Sequence, residues 1–177
     1  MPLHWPDYID AAHRKIDIAA FHCNQLKAAL AQSRDNGSSR PDIKIQAFFE
    51  GVITAAISAA DQVAQAANSA LKLRAGNGRL FDVAAPEIEA RVPCFREWRE
   101  RPIGRDLRKL RVRIVHYSYV KSPTVDRNWQ VEATNSNYQG SRSLLDYAEA
   151  TVAYARELGK IADTLADSLA SSNAAAS

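Results

Sequence analysis

Three long stretches of this chain place apolar residues at steps of mostly three and four. The first holds Ile9, Ala12, Ile16, Ala19, Cys23, Leu26 and Leu30. The second holds Ile45, Phe49, Val52, Ala56, Ala59, Val63, Ala67 and Leu71. The third holds Leu145, Ala148, Val152, Ala155, Leu158, Ala162, Leu165 and Leu169. Such steps line one face of an α-helix, and a stripe this long can be covered only by other long helices. The pattern therefore predicts a helical bundle. Alanine is abundant while Gly and Pro number seven each, and that balance also favours helix, because Ala gives up no side-chain entropy on entering one. A chain of 177 residues is long enough for one domain with a real core.

The breakers set the expected boundaries. Asp7 is placed to cap a first helix over 7–32, and the stretch SRDNGSSR (33–40) reads as a loop. Ser39 with Asp42 resembles a capping box for a second helix starting near Pro41, and Gly76 is placed to close it. Small residues dominate from Thr54 to Ala70, so this helix is expected to sit centrally. Segment 79–101 reads as irregular, with one short helix from Pro86 to Val92 and with Leu80, Phe81, Phe95 and Trp98 available as anchors. A third helix is expected over 102–120, with Leu107, Leu110, Ile114 and Tyr117 as its stripe. Within 124–140, Trp129 to Ala133 alternates in the manner of a short extended arm. Ser143 with Asp146 marks the start of a fourth helix over 143–169. The expected fold is all-α: one up-down bundle of four long helices over 1–169, with an irregular basic insertion before helix three. Residues 170–177 read as a disordered tail.

Several functions are disfavoured by what the sequence lacks. No P-loop, GxGxxG, GxSxG or HExxH motif occurs, and carboxylates do not recur at di-iron spacing on two helices. Cys23 and Cys94 are too far apart in sequence for a zinc knuckle. No metal or cofactor is expected. His13 and His22 lie off the first helical stripe and read as surface or interface histidines, and Cys23 reads as a small core residue. The N-terminal stretch lacks the apolar core of a signal peptide, and no uncharged apolar run reaches membrane-spanning length. The expectation is a cytoplasmic protein without a membrane partner.

Charge is distributed unevenly. From Arg91 to Arg113 there are nine basic residues against Glu97, Glu100 and Asp106, a local charge of +6, while the chain as a whole carries +3. A basic block on a mildly acidic body fits a polyanion partner. It equally fits a solvated face laced with ion pairs such as Glu97–Arg101. Trp98, among Arg96, Arg99 and Arg101, likewise has two readings. It is either a nucleic-acid contact or a core residue covered by arginine stems.

The densest part of this block, RDLRKLRVRIVHYSYV (105–120), holds Arg111 and His116 with four residues between them. Four helices with an Arg-x4-His motif near the end of the third resemble the HEPN superfamily, helical domains found in toxins and RNA-processing proteins. Tyr117 and Tyr119 stand close after the histidine, as in the toxin-type form of that motif. The position after the arginine, usually polar in the family, is Val112.

The resemblance implies a metal-independent endoribonuclease, RNA as substrate, a homodimer and, for a toxin, an antitoxin protein partner. It places catalysis on Arg111 and His116. Histidine titrates near neutrality and can move a proton to or from ribose and leaving-group oxygens. Arginine is always charged and matches phosphate oxygens in bidentate fashion. Arg105, Arg108, Lys109, Arg113 and Tyr117 are the expected RNA contacts. Five residues along a straight helix turn about 500°, which leaves Arg111 and His116 about 140° apart. Their convergence needs a bend, a frayed end or a second subunit. Two other readings stay open: a non-catalytic module binding RNA or a protein partner through the same surface, and a structural homodimer.

Overall fold

The computed structural model describes residues 4–35, 43–73, 80–107, 130–131 and 142–174. The described fold is all-α apart from one pair of two-residue strands. Helices α1 (Trp5–Asp35), α2 (Ile43–Leu71), α3 (Leu80–Arg91) and α4 (Cys94–Glu100) come first. A short helix, α5, covers 102–107. Strand β1 (Gln130–Val131) pairs antiparallel with β2 (Arg142–Ser143), placing Gln130 opposite Ser143, and α6 (Leu144–Ala174) follows directly.

The three long helices form the core. Between α1 and α2 lie seven residues, which span at most about 25 Å, whereas a 29-residue helix is about 44 Å long. Two helices so joined and so extensively packed must run antiparallel. Helix α6 also runs antiparallel to α1: His13 meets Asp163, Ile16 packs beside Gly159, and Cys23 shares a cleft with Glu149 and Val152. Along α1 the expected stripe is buried from Ile9 through Leu26, after which burial passes to Ala29 and Leu30 is only partly covered. In α2 the buried face is wider than one stripe, because Ile53, Ala55, Ile57, Ala64 and Ala66 join it. The central position expected from its small residues is therefore the one it occupies. Helix α2 is also long and apolar enough to cross a membrane by length and composition, and its apolar residues here supply the core.

The helix ends differ in detail from expectation. His4 precedes α1, and its backbone N–H donates to Asp7 Oδ2 at 2.8 Å, so Asp7 acts from inside the first turn. Lys72, at φ 54°, closes α2 four residues before Gly76. Leu73 N–H then reaches back to the Asn68 carbonyl at 3.3 Å, the geometry of a Schellman cap. The Ser39 cap and Gly76 lie outside the described residues. At α6, Asp146 N–H donates to Ser143 Oγ at 3.1 Å, as the capping box requires. Helix α6 runs to Ala174, past the expected boundary at Leu169, with Ser171 and Ser172 hydroxyls donating to carbonyls one turn back.

The segment expected to be an irregular insertion is helical instead. Leu80, Ala84 and Ile88 fall at four-residue steps and are buried together with Ala85, and α3 packs on α2. Pro86, expected to start a helix, sits inside this one. Its missing N–H and ring clash oppose helix by about 3 kcal/mol, and burial of the Leu80–Ile88 face offsets that cost. Pro93 ends α3, because the residue before a proline is disfavoured in helical geometry. The chain restarts at once as α4, which packs on α6.

Candidate functional site

Most of the expected site, namely Arg108, Lys109, Arg111, Arg113, His116 and Tyr117, lies outside the described residues. Arg105 is described. It is exposed on α5 and makes no ion pair among the described residues. The buried side of α5 carries Ile103 and Leu107, which dock the turn and fix the direction in which Arg105 leaves the surface.

The first half of the basic block is neutralised by glutamates. Arg91 Nη1 donates to Glu87 Oε2 and to the Glu87 carbonyl, both at 2.9 Å. Arg96 meets Glu100 at 3.4 Å, and Arg99 meets Glu89 at 2.9 Å. Arg101 reaches across to Glu157 on α6 at 2.6 Å. That hydrogen bond raises the Arg101 pKa above its ordinary value, against a smaller opposing effect of burial. The sequence suggested Glu97 as the Arg101 partner; Glu97 acts on it only through its charge. The Glu87–Arg91 and Arg96–Glu100 pairs follow the four-residue spacing of α3 and α4. The Arg99–Glu89 and Arg101–Glu157 pairs depend on how α3, α4 and α6 meet, and no local spacing announces them.

Trp98 takes the core reading. It is 3% exposed, stacked on Tyr154 at 4.3 Å and on Phe95 at 5.5 Å. Its Nε1–H donates to the Tyr154 carbonyl at 2.9 Å. Phe81 tilts against Phe95 at 5.9 Å, extending one aromatic column from α3 through α4 to α6. Gly104 lies under the Tyr154 hydroxyl, where a Cβ would collide with it.

Two clefts open beside these elements. One, of about 460 Å³, is lined by Phe81 and Asp82 from α3, Arg99 and Glu100 from α4, and Arg105 from α5. The other, of about 320 Å³, lies between α1 and α6, with Cys23, Lys27, Glu149 and Arg156 among its lining residues. Burial, and then the charge of Glu149, push the Cys23 thiol up, while Lys27 and Arg156 pull the other way by less. A thiol held above its ordinary value is protonated at neutral pH and is a poor nucleophile, so Cys23 serves as the small packing residue its stripe position suggested.

The two histidines of α1 have structural partners. His13 Nε2 lies 2.8 Å from Asp163 Oδ1. The His22 ring sits over Gly51, with Phe21 and Phe48 beside it. Among the described residues no group of three or more His, Cys, Asp or Glu side chains is placed to hold a metal ion. No family model, curated protein or solved structure matches this chain.

Proposed function

We propose that this protein is a HEPN-like, metal-independent endoribonuclease, with His116 moving the proton and Arg111 holding the scissile phosphate. One observation carries the reading. Four arginines of the basic block, 91, 96, 99 and 101, are tied to glutamates. The surplus of the block therefore falls on 105–113, where Arg105, Arg108, Lys109, Arg111 and Arg113 stand against Asp106 alone. That is the stretch containing the Arg-x4-His motif. In this reading the chain beginning at α5 is the third long helix of an up-down bundle, and two copies pair so that each supplies one Arg111 and one His116 to a shared cleft. A toxin or defence role, with an antitoxin partner in the cytoplasm, follows from the resemblance.

The chemistry needs nothing beyond these side chains. The ribose 2′-oxygen attacks phosphorus while its proton leaves to a base, and the bond to the 5′-oxygen breaks as that oxygen gains a proton. The arginine cation stabilises the charge that grows on the phosphoryl oxygens. The test is incubation of purified protein with structured RNA in EDTA. The expected result is cleavage by the parent protein and at least a hundredfold loss, roughly, in both His116→Ala and Arg111→Ala. A second reading, a non-catalytic RNA-binding module, is favoured by Val112 at the position that is usually polar. RNA binding without cleavage by the parent protein, retained in His116→Ala, would establish it.

A further inference from the structure

The cleft between α3, α4 and α5 is built from complementary parts. Phe81 presents a half-buried ring tilted against Phe95, which is itself stacked on Trp98. Asp82 is exposed on the next position of α3 and has no ion pair among the described residues. Arg105 lines the same cleft from α5 and does not pair with Asp82. Arg99 and Glu100 complete the lining, and each is engaged elsewhere, with Glu89 and Arg96. The volume, about 460 Å³, falls inside the roughly 300–1,000 Å³ usual for small-ligand clefts.

We infer that this cleft binds an unpaired guanine nucleotide, with the base stacked on Phe81, its Watson–Crick edge on Asp82 and its phosphate on Arg105. The choice of a nucleotide rests on the ribonuclease reading of the neighbouring stretch; the choice of guanine rests on the lining. A base has two faces that stack on an aromatic ring whatever its identity. A carboxylate, in contrast, accepts two hydrogen bonds side by side only from a base with two adjacent donors. Guanine has them, at N1–H and the N2 amino group. Adenine, cytosine and uracil each pair a donor with an acceptor along that edge and would leave one carboxylate oxygen facing an acceptor. Arg105 stands six residues before Arg111, a separation of at most about 22 Å of chain, so a guanine here selects RNA close to the proposed cleavage point.

The test uses the full chain with guanosine 5′-monophosphate and adenosine 5′-monophosphate as probes, titrated by calorimetry. The parent protein is expected to bind the guanine nucleotide at least about tenfold more tightly, the size of one good bidentate discrimination. Asp82→Asn is expected to bring the two affinities within about twofold of each other, while Arg105→Ala weakens both equally. Equal affinities in the parent protein, no binding of either nucleotide, or an unchanged preference in Asp82→Asn would each overturn the inference. RNA cleavage without preference for guanosine would sink the guanine cleft and leave the ribonuclease standing. Guanine preference without RNA cleavage would do the reverse.

Discussion

Along α1, α2 and α6 no single side chain carries the packing. Most contacts come from Ala, Val, Leu and Ile repeated turn after turn, many of them with no exposed surface at all, with the aromatic pair Phe49–Tyr147 among them. On the flank made by α3, α4 and α5 the load falls on a few groups, chiefly the column Phe81–Phe95–Trp98–Tyr154, beside which lie the clamps Arg99–Glu89 and Arg101–Glu157. Where contacts are distributed, the loss of one methyl group costs only about 0.5–1.5 kcal/mol. Concentrated contacts make a flank whose docking depends on single residues, and this is the flank from which the chain leads into the proposed site.

The sharpest way to break that contrast is Trp98→Ala. The side chain loses two stacking partners and leaves the Tyr154 carbonyl without the indole donor. A truncation of this kind costs about 3–5 kcal/mol, a large share of the 5–15 kcal/mol, roughly, that holds a domain folded. Urea unfolding followed by circular dichroism is the measurement. A loss below about 1.5 kcal/mol, with the slope unchanged, would mean that α4 is not integral to the cooperative unit and that the contrast is false.

A smaller effect is expected within the core, where α1 approaches α2. A Cβ on Gly51 would lie 2.7–2.8 Å from three atoms of the His22 ring. Gly51→Ala therefore drives the imidazole out from beside Phe48, at a cost of about 1–3 kcal/mol for overpacking. Alanine returns about 1 kcal/mol through its better helix propensity, so the net loss is about 0–2 kcal/mol. Removing the ring should uncover that return: Gly51→Ala with His22→Ala is expected to be more stable than the sum of the single changes by at least about 1 kcal/mol. Additive losses would show that the ring has somewhere else to go.

These expectations also mark what the sequence made legible. The α1, α2 and α6 stripes could be read because burial repeats with the helical period, and their residues are buried apart from those at three helix ends, Leu30, Leu71 and Leu145, which are only partly covered. Central α2 could be read from its small residues. The flank could not. Pro86 looked like a helix start because proline is common there, and only the burial of Leu80, Ala84 and Ile88 against α2 shows that the helix begins six residues earlier. The basic block fitted a binding surface and an ion-paired face equally well, since Glu89 and Glu157 are distant in sequence from the arginines they neutralise. Of the site itself, Arg105, expected as an RNA contact, is exposed on α5. Of the lining residues, Phe81 read as an anchor for its segment and Asp82 gave no signal, and only the meeting of α3 with α5 makes them walls of a cleft.

The smallest effect tests the clamps, and it bears on whether the flank is held by charge or by its aromatic column. Arg101 and Glu157 approach to 2.6 Å, yet their side chains are 46% and 41% exposed. A short contact in water-accessible surroundings is screened, and holding two long side chains costs entropy, so such pairs contribute about 0.2–1 kcal/mol. A double-mutant cycle with Arg101→Gln and Glu157→Gln should give a coupling in that range, falling toward zero as salt rises to about 1 M and the screening length shrinks to about 3 Å. The same salt series on Trp98→Ala should leave its loss nearly constant, because stacking and a buried hydrogen bond are not screened. If instead the Arg101–Glu157 coupling exceeded about 2 kcal/mol and survived high salt, the clamp would be acting as a desolvated pair, and α4 would be docked as much by charge as by its aromatic column.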